Sequence, residues 1–206
     1  EWEHDFDYNA DEPRHQFRPP GYQPGHHVEW SKLLALLDRY DADGPGRARG
    51  AAGADDPSGD ADGGWYERAA ELFDVAVDHG WTENGFVYTH AADGTPLVED
   101  RYGWALAEGI GAAAALAERA AARGDADAAG RFRRWHRRLL VRTDLFRGPA
   151  GVWYEKRLPP DADGDLVAPE PPGVEPDYHP VGAYFEGRRS ALAALGESGA
   201  LGESNR

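Results

Sequence analysis

The chain has no cysteine and no methionine, and only two of its 22 basic residues are lysine. Without cysteine, a disulfide framework, a thiolate nucleophile and a cysteine-bound zinc are excluded. No apolar run approaches the ~20 residues that a membrane-spanning helix needs, and no basic segment followed by an apolar stretch opens the chain. We therefore expect neither secretion nor membrane insertion, and predict a cytoplasmic location.

Positive charge is scarce as well. Acidic residues number 37 against 22 basic ones, which gives a net charge of −15 at pH 7. Because nucleic acids bind to basic surfaces, we expect no nucleic-acid partner. An acidic surface with so little lysine is typical of salt-adapted proteins, although a GC-rich genome would also favour arginine.

Large aliphatic residues are few, but seven tryptophans and nine tyrosines argue against a disordered chain of 206 residues. The sequence starts at Glu1 rather than at a methionine. We interpret it as a piece of a larger protein that buries an incomplete core on its own.

Hydrophobic periodicity and helix-breaking residues predict five helices. They cover about 26–40, 64–79, 103–123, 126–142 and a segment from about 180 onward. In the first, Trp30, Leu33, Leu34 and Leu37 form the apolar stripe. The Gly/Asp/Ala-rich stretch 42–63 is predicted to be a flexible loop, and 196–206 a disordered tail.

Short strands are predicted between the helices as two hairpins. One joins 85–88 to 96–98, and the other joins 151–154 to 166–167. Together with the helices they form a weak repeat. If helix pairs surround an axis, the residues at the helix starts meet at one end and form a shared pocket.

His26 and Glu29 lie one helical turn apart and therefore on the same helix face. An imidazole beside a carboxylate is a tuned general acid or base. The spacing alone equally fits a structural hydrogen bond. A metal site would need a second such motif and further glutamates, so no metal is predicted.

The other candidates also precede or begin helices. His179 comes just before the last predicted helix, where the helix dipole favours a neutral imidazole. Trp104 and Glu108 are spaced i, i+4, which suits an aromatic platform and an acceptor for a sugar. Each also has an ordinary structural interpretation, as an N-cap, a core tryptophan or a dipole-compensating glutamate. His27 is expected to point away from the site.

Nucleotide and serine-hydrolase chemistry have no motif here. The sequence contains no GxSxG elbow, P-loop or GxGxxG fingerprint. Two histidines, carboxylates and aromatic residues remain, a set that suits proton-transfer or sugar chemistry.

Several motifs together resemble the N-acylglucosamine 2-epimerase (AGE) family. Their order and spacing match from residue 1 to about 195 in Phe17-Arg18-Pro19, Gly25-His26-His27-Val28-Glu29-Trp30, Gly85-Phe86-Val87-Tyr88, Asp100-Arg101-Tyr102-Gly103-Trp104 and Asp177-Tyr178-His179-Pro180. The resemblance implies an all-α (α/α)₆ barrel, of which 1–195 would be the C-terminal half. The N-terminal half of the barrel would then be a partner.

The resemblance also implies a cofactor-independent sugar isomerase or epimerase. His26 and His179 match the family's catalytic histidines, and Glu29, Trp104 and Glu108 match positions that line the sugar pocket. Proton transfer would pass through a cis-enediolate. The Trp after Glu29 is typical of mannose-type aldose–ketose isomerases. Gly103 and Leu106 replace a Trp and a Gln of epimerases, which we interpret as a sparser pocket wall.

Three alternatives stay open. The first is an N-acylglucosamine or cellobiose 2-epimerase. The second is a glycoside hydrolase or lyase, for which Glu29 and Glu108 are the plausible carboxylate pair. The third is an inactive or carbohydrate-binding half-barrel.

Overall fold

The computed structural model describes residues 20–43, 64–148, 151–159, 166–167 and 178–196. Five α-helices form most of this part of the chain. They are α1 (Pro24–Asp43), α2 (Trp65–Gly80), α3 (Gly103–Ala122), α4 (Ala126–Leu140) and α5 (Tyr178–Ala194). None of these helices is long and apolar enough to span a membrane.

Helices α1, α3 and α5 run parallel, with α3 in the middle. The imidazole of His26 near the start of α1 contacts Trp104 at the start of α3. At the other end, Asp38 of α1 accepts hydrogen bonds from Arg119 and Arg123 of α3. Burial raises the pKa of Asp38, but these arginines outweigh it and hold the pKa below its usual range. The three helix starts therefore lie at one end of the layer.

Arg39 joins all three helices of this layer. Its guanidinium pairs with Glu118 of α3 at 3.0 Å and with Glu186 of α5 at 2.6 Å. All three side chains are nearly buried. Sliding one helix along the others would leave buried charges unpaired, which is costly. These contacts therefore hold the three helices in register.

Helix α3 is built from small residues and is buried along almost its whole length. Phe86 packs so closely on Gly109 that an added Cβ would lie 2.8 Å from its ring. Glycine and alanine let neighbouring helices and strands approach the backbone of α3 on several sides. The scarcity of large aliphatic residues is thus compensated by close backbone packing.

Helices α2 and α4 cover the back of this layer and run antiparallel to it. Pro24 of α1 packs on Gly80 at the end of α2, and Leu139 near the end of α4 packs on Gly109. Aromatic edge-to-face contacts join the two outer helices, with Phe73 against Phe132 at 5.6 Å between ring centroids. The predicted pattern of helix pairs is therefore present.

In the part of the chain that the structure describes, seven short strands lie between the helices in three small antiparallel sheets. They are β1 (Trp81–Thr82), β2 (Gly85–Phe86), β3 (Thr89–His90), β4 (Pro96–Val98), β5 (Arg101–Tyr102), β6 (Lys156–Arg157) and β7 (Leu166–Val167). The sheet orders are β1-β2, β3-β4 and β5-β6-β7.

The first predicted hairpin forms with a different first strand. β4 pairs with β3 rather than with β2. The β2 strand folds back on β1 because the hydroxyl of Thr82 donates to the Gly85 carbonyl at 2.7 Å, and Gly85 has a positive φ of 109°. The other strand of this tight turn, Trp81–Thr82, is one that we had not predicted.

The second predicted hairpin is wrong in its pairing. β7 pairs with β6, and β6 pairs with β5 in front of α3. Lys156 of β6 forms an ion pair with the buried carboxylate of Asp100 at 3.0 Å. Trp153 is instead buried against Phe146 and forms an isolated antiparallel bridge with Arg147, so 151–154 does not pair with β7.

Two helix predictions also need correction. Trp30, Leu33 and Leu37 do not face the core, since each is 40% exposed or more, whereas Leu34 is buried. Helix α5 begins at Tyr178, so His179 lies in its first turn rather than before it. Of the predicted loop 42–63, residues 42 and 43 belong to α1, and 44–63 lie outside the described residues, as do 197–206.

His90 is a buried histidine among the short strands. It is 2% exposed on β3, with His79 stacked on its ring at 5.6 Å between centroids. Its Nδ1 lies 2.6 Å from the carbonyl oxygen of Ala91. Burial lowers the pKa of His90; the bond to Ala91 opposes this in part, and His79 adds to the lowering.

We therefore predict a loss of stability in mild acid. Below about pH 6.5, the ordinary pKa of histidine, the unfolded chain binds a proton that folded His90 accepts only at lower pH. The free energy of unfolding then falls as the pH decreases. Urea denaturation at pH 7 and pH 5 should show a smaller difference in His90→Gln than in the unaltered chain. Equal differences in the two proteins would contradict the prediction.

Candidate active site

The starts of α1, α3 and α5 bring two imidazoles onto one indole. The ring centroid of Trp104 lies 5.4 Å from that of His26 and 5.7 Å from that of His179. All three side chains are partly exposed. Residues that are 153 positions apart in the chain therefore meet at the helix starts, at the end of the layer where the sequence predicts a pocket.

Gly25 makes the approach of Trp104 to α1 possible. A Cβ at this position would lie 2.4 Å from Cη2 and 2.8 Å from Cζ3 of the indole. The residue before His26 must therefore be glycine for the indole to keep its place.

Glu108 orients His179. Its Oε1 lies 2.6 Å from Nδ1 of His179, and its carboxylate is fully buried. An ionised carboxylate only accepts hydrogen bonds, so Nδ1 carries the hydrogen. The sequence had paired Glu29 with His26 instead, because helical spacing reveals contacts within a helix but not between helices.

Lys32 forms an ion pair with the second oxygen of Glu108. Burial alone would raise the pKa of Glu108, but the hydrogen bonds from His179 and Lys32 outweigh it and hold the pKa below its usual value. Lys32 is a site residue that the sequence analysis missed. Its only signal is that lysine is so rare in this chain.

Glu29 completes the polar side of the pocket. Glu29, Glu108 and His179 each have one atom that could ligate a metal, and these three atoms lie within 4.8 Å of one another. Glu108 is already engaged by His179 on one oxygen and by Lys32 on the other. A cation would have to compete with the Lys32 ammonium group, so the arrangement is better suited to acid–base chemistry.

Residues next to the predicted site residues in the sequence differ in whether they lie at the site. His27 turns from the pocket toward His90, 6.2 Å away between centroids. Tyr178 stacks on His179 at 4.0 Å. Leu106 is fully buried in the core, and Gly103 packs against Trp153. The interpretation of Gly103 and Leu106 as a sparse pocket wall is therefore wrong.

An all-α layer in which two imidazoles, an indole and a buried carboxylate meet at the helix starts defines a helical protein with its candidate site at that end. The chain belongs to the N-acylglucosamine 2-epimerase (GlcNAc 2-epimerase) family, whose model matches residues 1–183. The predicted fold is confirmed as all-α and of the (α/α)₆-barrel type, with short strand pairs between the helices.

Curated relatives and a solved structure agree with this assignment. The chain is 30% identical to a D-mannose isomerase of Marinomonas mediterranea, over 90% of this chain and 41% of the relative. It is 34% identical to a D-mannose isomerase of Thermobifida fusca, over 87% and 39%. A crystal structure of a D-mannose isomerase matches with a TM-score of 0.67 and 28% identity, over 90% and 41%. The chain thus spans about two fifths of these relatives' length.

Gly25→Ala should disturb the pocket through packing. The added methyl group must displace Trp104, and overpacking of this kind typically costs about 1–3 kcal/mol. Gly182→Ala in α5 is the matched control, since a Cβ there meets nothing within 4 Å. We expect a lower urea midpoint and altered tryptophan fluorescence for Gly25→Ala only. Equal behaviour of the two variants would show that Gly25 is not needed for the indole contact.

Proposed function

We propose that this chain supplies the proton-transfer site of a mannose-type aldose–ketose isomerase. The observation that carries the proposal is the contact of Trp104 with both His26 and His179, of which His179 is bonded to the buried Glu108. Support for mannose as the substrate comes from the relatives, which are D-mannose isomerases.

In the proposed reaction, His179 is the base. Its Nδ1 hydrogen is directed at Glu108, so Nε2 is the atom that takes the proton from carbon 2 of the open-chain aldose. The aldehyde acidifies that hydrogen, and the product is a cis-enediolate. The ionised Glu108 stabilises the imidazolium that forms, without itself taking the proton.

His26 and the remaining pocket residues have supporting roles in this proposal. His26, across Trp104 from His179, protonates the sugar oxygen during ring opening or supplies a proton to the enediolate. Trp104 offers its ring face to the apolar face of the sugar, and Glu29 accepts hydrogen bonds from hydroxyl groups. Delivery of the proton to carbon 1, with transfer of the hydroxyl proton from the carbon-2 oxygen to the carbon-1 oxygen, gives the ketose. Delivery of a proton from a second donor to the opposite face of carbon 2 gives the epimer.

A completing partner is also part of the proposal. Helix α1 exposes Trp30, Leu33 and Leu37, and helix α5 exposes Val181 and Phe185. These two helices are the lateral edges of the layer whose middle is α3. A barrel needs helices on both edges, and the matched relatives are more than twice as long as the aligned segment. We propose that further helices, equivalent to the rest of those relatives, cover both edges.

Glycoside hydrolysis would require Glu29 rather than Glu108 to be the general acid. It needs one carboxyl group to be protonated so that it can act as a general acid. Glu108 has a lowered pKa and both of its oxygens engaged by cationic or proton-donating partners. It is therefore suited to hold a charge rather than to donate a proton.

We predict that His26→Ala and His179→Ala each lower the turnover of mannose by about 10²–10⁴-fold, the usual contribution of a general acid or base. His27→Ala is the matched control because His27 lies on the same helix but turns toward His90. Steady-state assays of the intact protein, with circular dichroism to verify folding, measure the effect. Loss of activity in His27→Ala with an active His26→Ala would overturn the assignment.

The product formed in deuterated water separates isomerase from epimerase. We expect mannose to give fructose first, with part of the carbon-2 hydrogen transferred internally to carbon 1, as NMR spectra would show. A chelator should leave the rate unchanged if no metal takes part. Glucose as the first product, fully deuterated at carbon 2, would favour the 2-epimerase. No turnover of either sugar would favour a carbohydrate-binding half-barrel.

A further inference from the structure

We propose that Lys32 is a positioning residue that acts on His179 through Glu108. The inference rests on the proposed function, because it gives His179 a proton-transfer role. Lys32 itself lies behind the carboxylate and is not proposed to touch the reacting carbons.

The geometry is a relay across three helices. Lys32 of α1 pairs with Oε2 of Glu108 in α3, while Oε1 lies 2.6 Å from Nδ1 of His179 in α5. The carboxylate is 0% exposed and the Lys32 side chain 13% exposed. Because little water reaches this carboxylate, its protonation and direction are set by these two partners.

Glu108 needs a permanent cation to orient His179 in the useful way. A buried carboxyl group without one tends to take up a proton, and a protonated carboxyl could present either a donor or an acceptor to Nδ1. With Lys32 present, Glu108 stays ionised and only accepts, so His179 keeps its hydrogen on Nδ1. The ammonium charge also opposes retention of a second proton by the Glu108–His179 pair.

The charges around Glu108 come from two neighbouring helices. Helix α1 contributes Lys32 and Glu29, and helix α5 contributes His179. Lys32 is therefore the permanent cation among these groups. Removing it leaves two carboxylates close to His179, which strengthens the hold of the cluster on a proton.

The fold makes room for a lysine at this position. Gly111 lies one turn after Glu108 on α3, and a Cβ there would be 3.0 Å from Cδ of Lys32. The aliphatic stem of Lys32 thus runs over a bare stretch of α3 backbone. The bare backbone leaves room for a long cationic side chain, which brings its charge to the buried carboxylate of Glu108.

The test compares Lys32→Met and Lys32→Arg with the unaltered intact protein. Lys156→Met is the matched control, because Lys156 forms the same kind of ion pair with the buried Asp100 outside the pocket. Two readouts are needed: the pH dependence of kcat and of KM for mannose, and nitrogen-15 NMR of the His179 ring, which reports its tautomer and protonation without requiring activity.

We expect Lys32→Met to lower kcat by about 10- to 100-fold, as for outer groups that orient metal ligands, with a smaller change in KM. The acid limb of its pH profile and the NMR midpoint of His179 should both move to higher pH. Lys32→Arg should restore the midpoint, and Lys156→Met should leave it in place. If Lys32→Met does not fold, Lys32→Gln removes the same charge and should give the same shift.

An unchanged midpoint and tautomer in folded Lys32→Met or Lys32→Gln would overturn the proposal, even if kcat fell. A midpoint that moved equally in Lys156→Met would overturn it too. Failure of the unaltered protein to convert mannose would contradict the proposed function instead. The NMR comparison would still decide whether Lys32 controls the proton on His179.

Discussion

The close packing of α3 is the constraint on which the rest of the structure depends. Gly and Ala occupy most of this helix, and it is buried along nearly its whole length. Small side chains bring α1 and α5 close to its backbone, so that side chains from all three helices can meet. If α3 carried large residues, the helices would lie further apart and Glu108 could not contact Lys32 and His179 together.

This packing places charge where water is scarce. At one end of the layer, Asp38 and Arg39 of α1 form buried ion pairs that lock the helices in register. At the other end, Glu108 uses the same physics to hold His179 in one orientation. The difference is that the second cluster is partly open and contains an imidazole, a group that exchanges protons near neutral pH. One arrangement of parallel helices thus supplies both stability and the proposed site of proton transfer.

The sequence was most informative where local rules decide the outcome. All five helices lie close to their predicted bounds, because hydrophobic periodicity and helix-breaking residues act over a few neighbouring residues. Strand pairing was less predictable, since Lys156 of β6 pairs with β5 and forms an ion pair with Asp100 just before it, far away in the chain. The apolar stripe of Trp30, Leu33 and Leu37 was also assigned to the wrong side. Periodicity identifies an apolar face, but not whether this chain or another segment covers it.

By itself the sequence determined the helices, the absence of thiol chemistry, and the meeting of His26, Trp104 and His179 at the helix starts. Only the tertiary structure decided that Glu108 orients His179 and that Lys32 holds Glu108. The reason is physical. The identity of a residue and its position in a helix are local properties of the sequence. The partner of a buried charge depends instead on how closely separate helices approach.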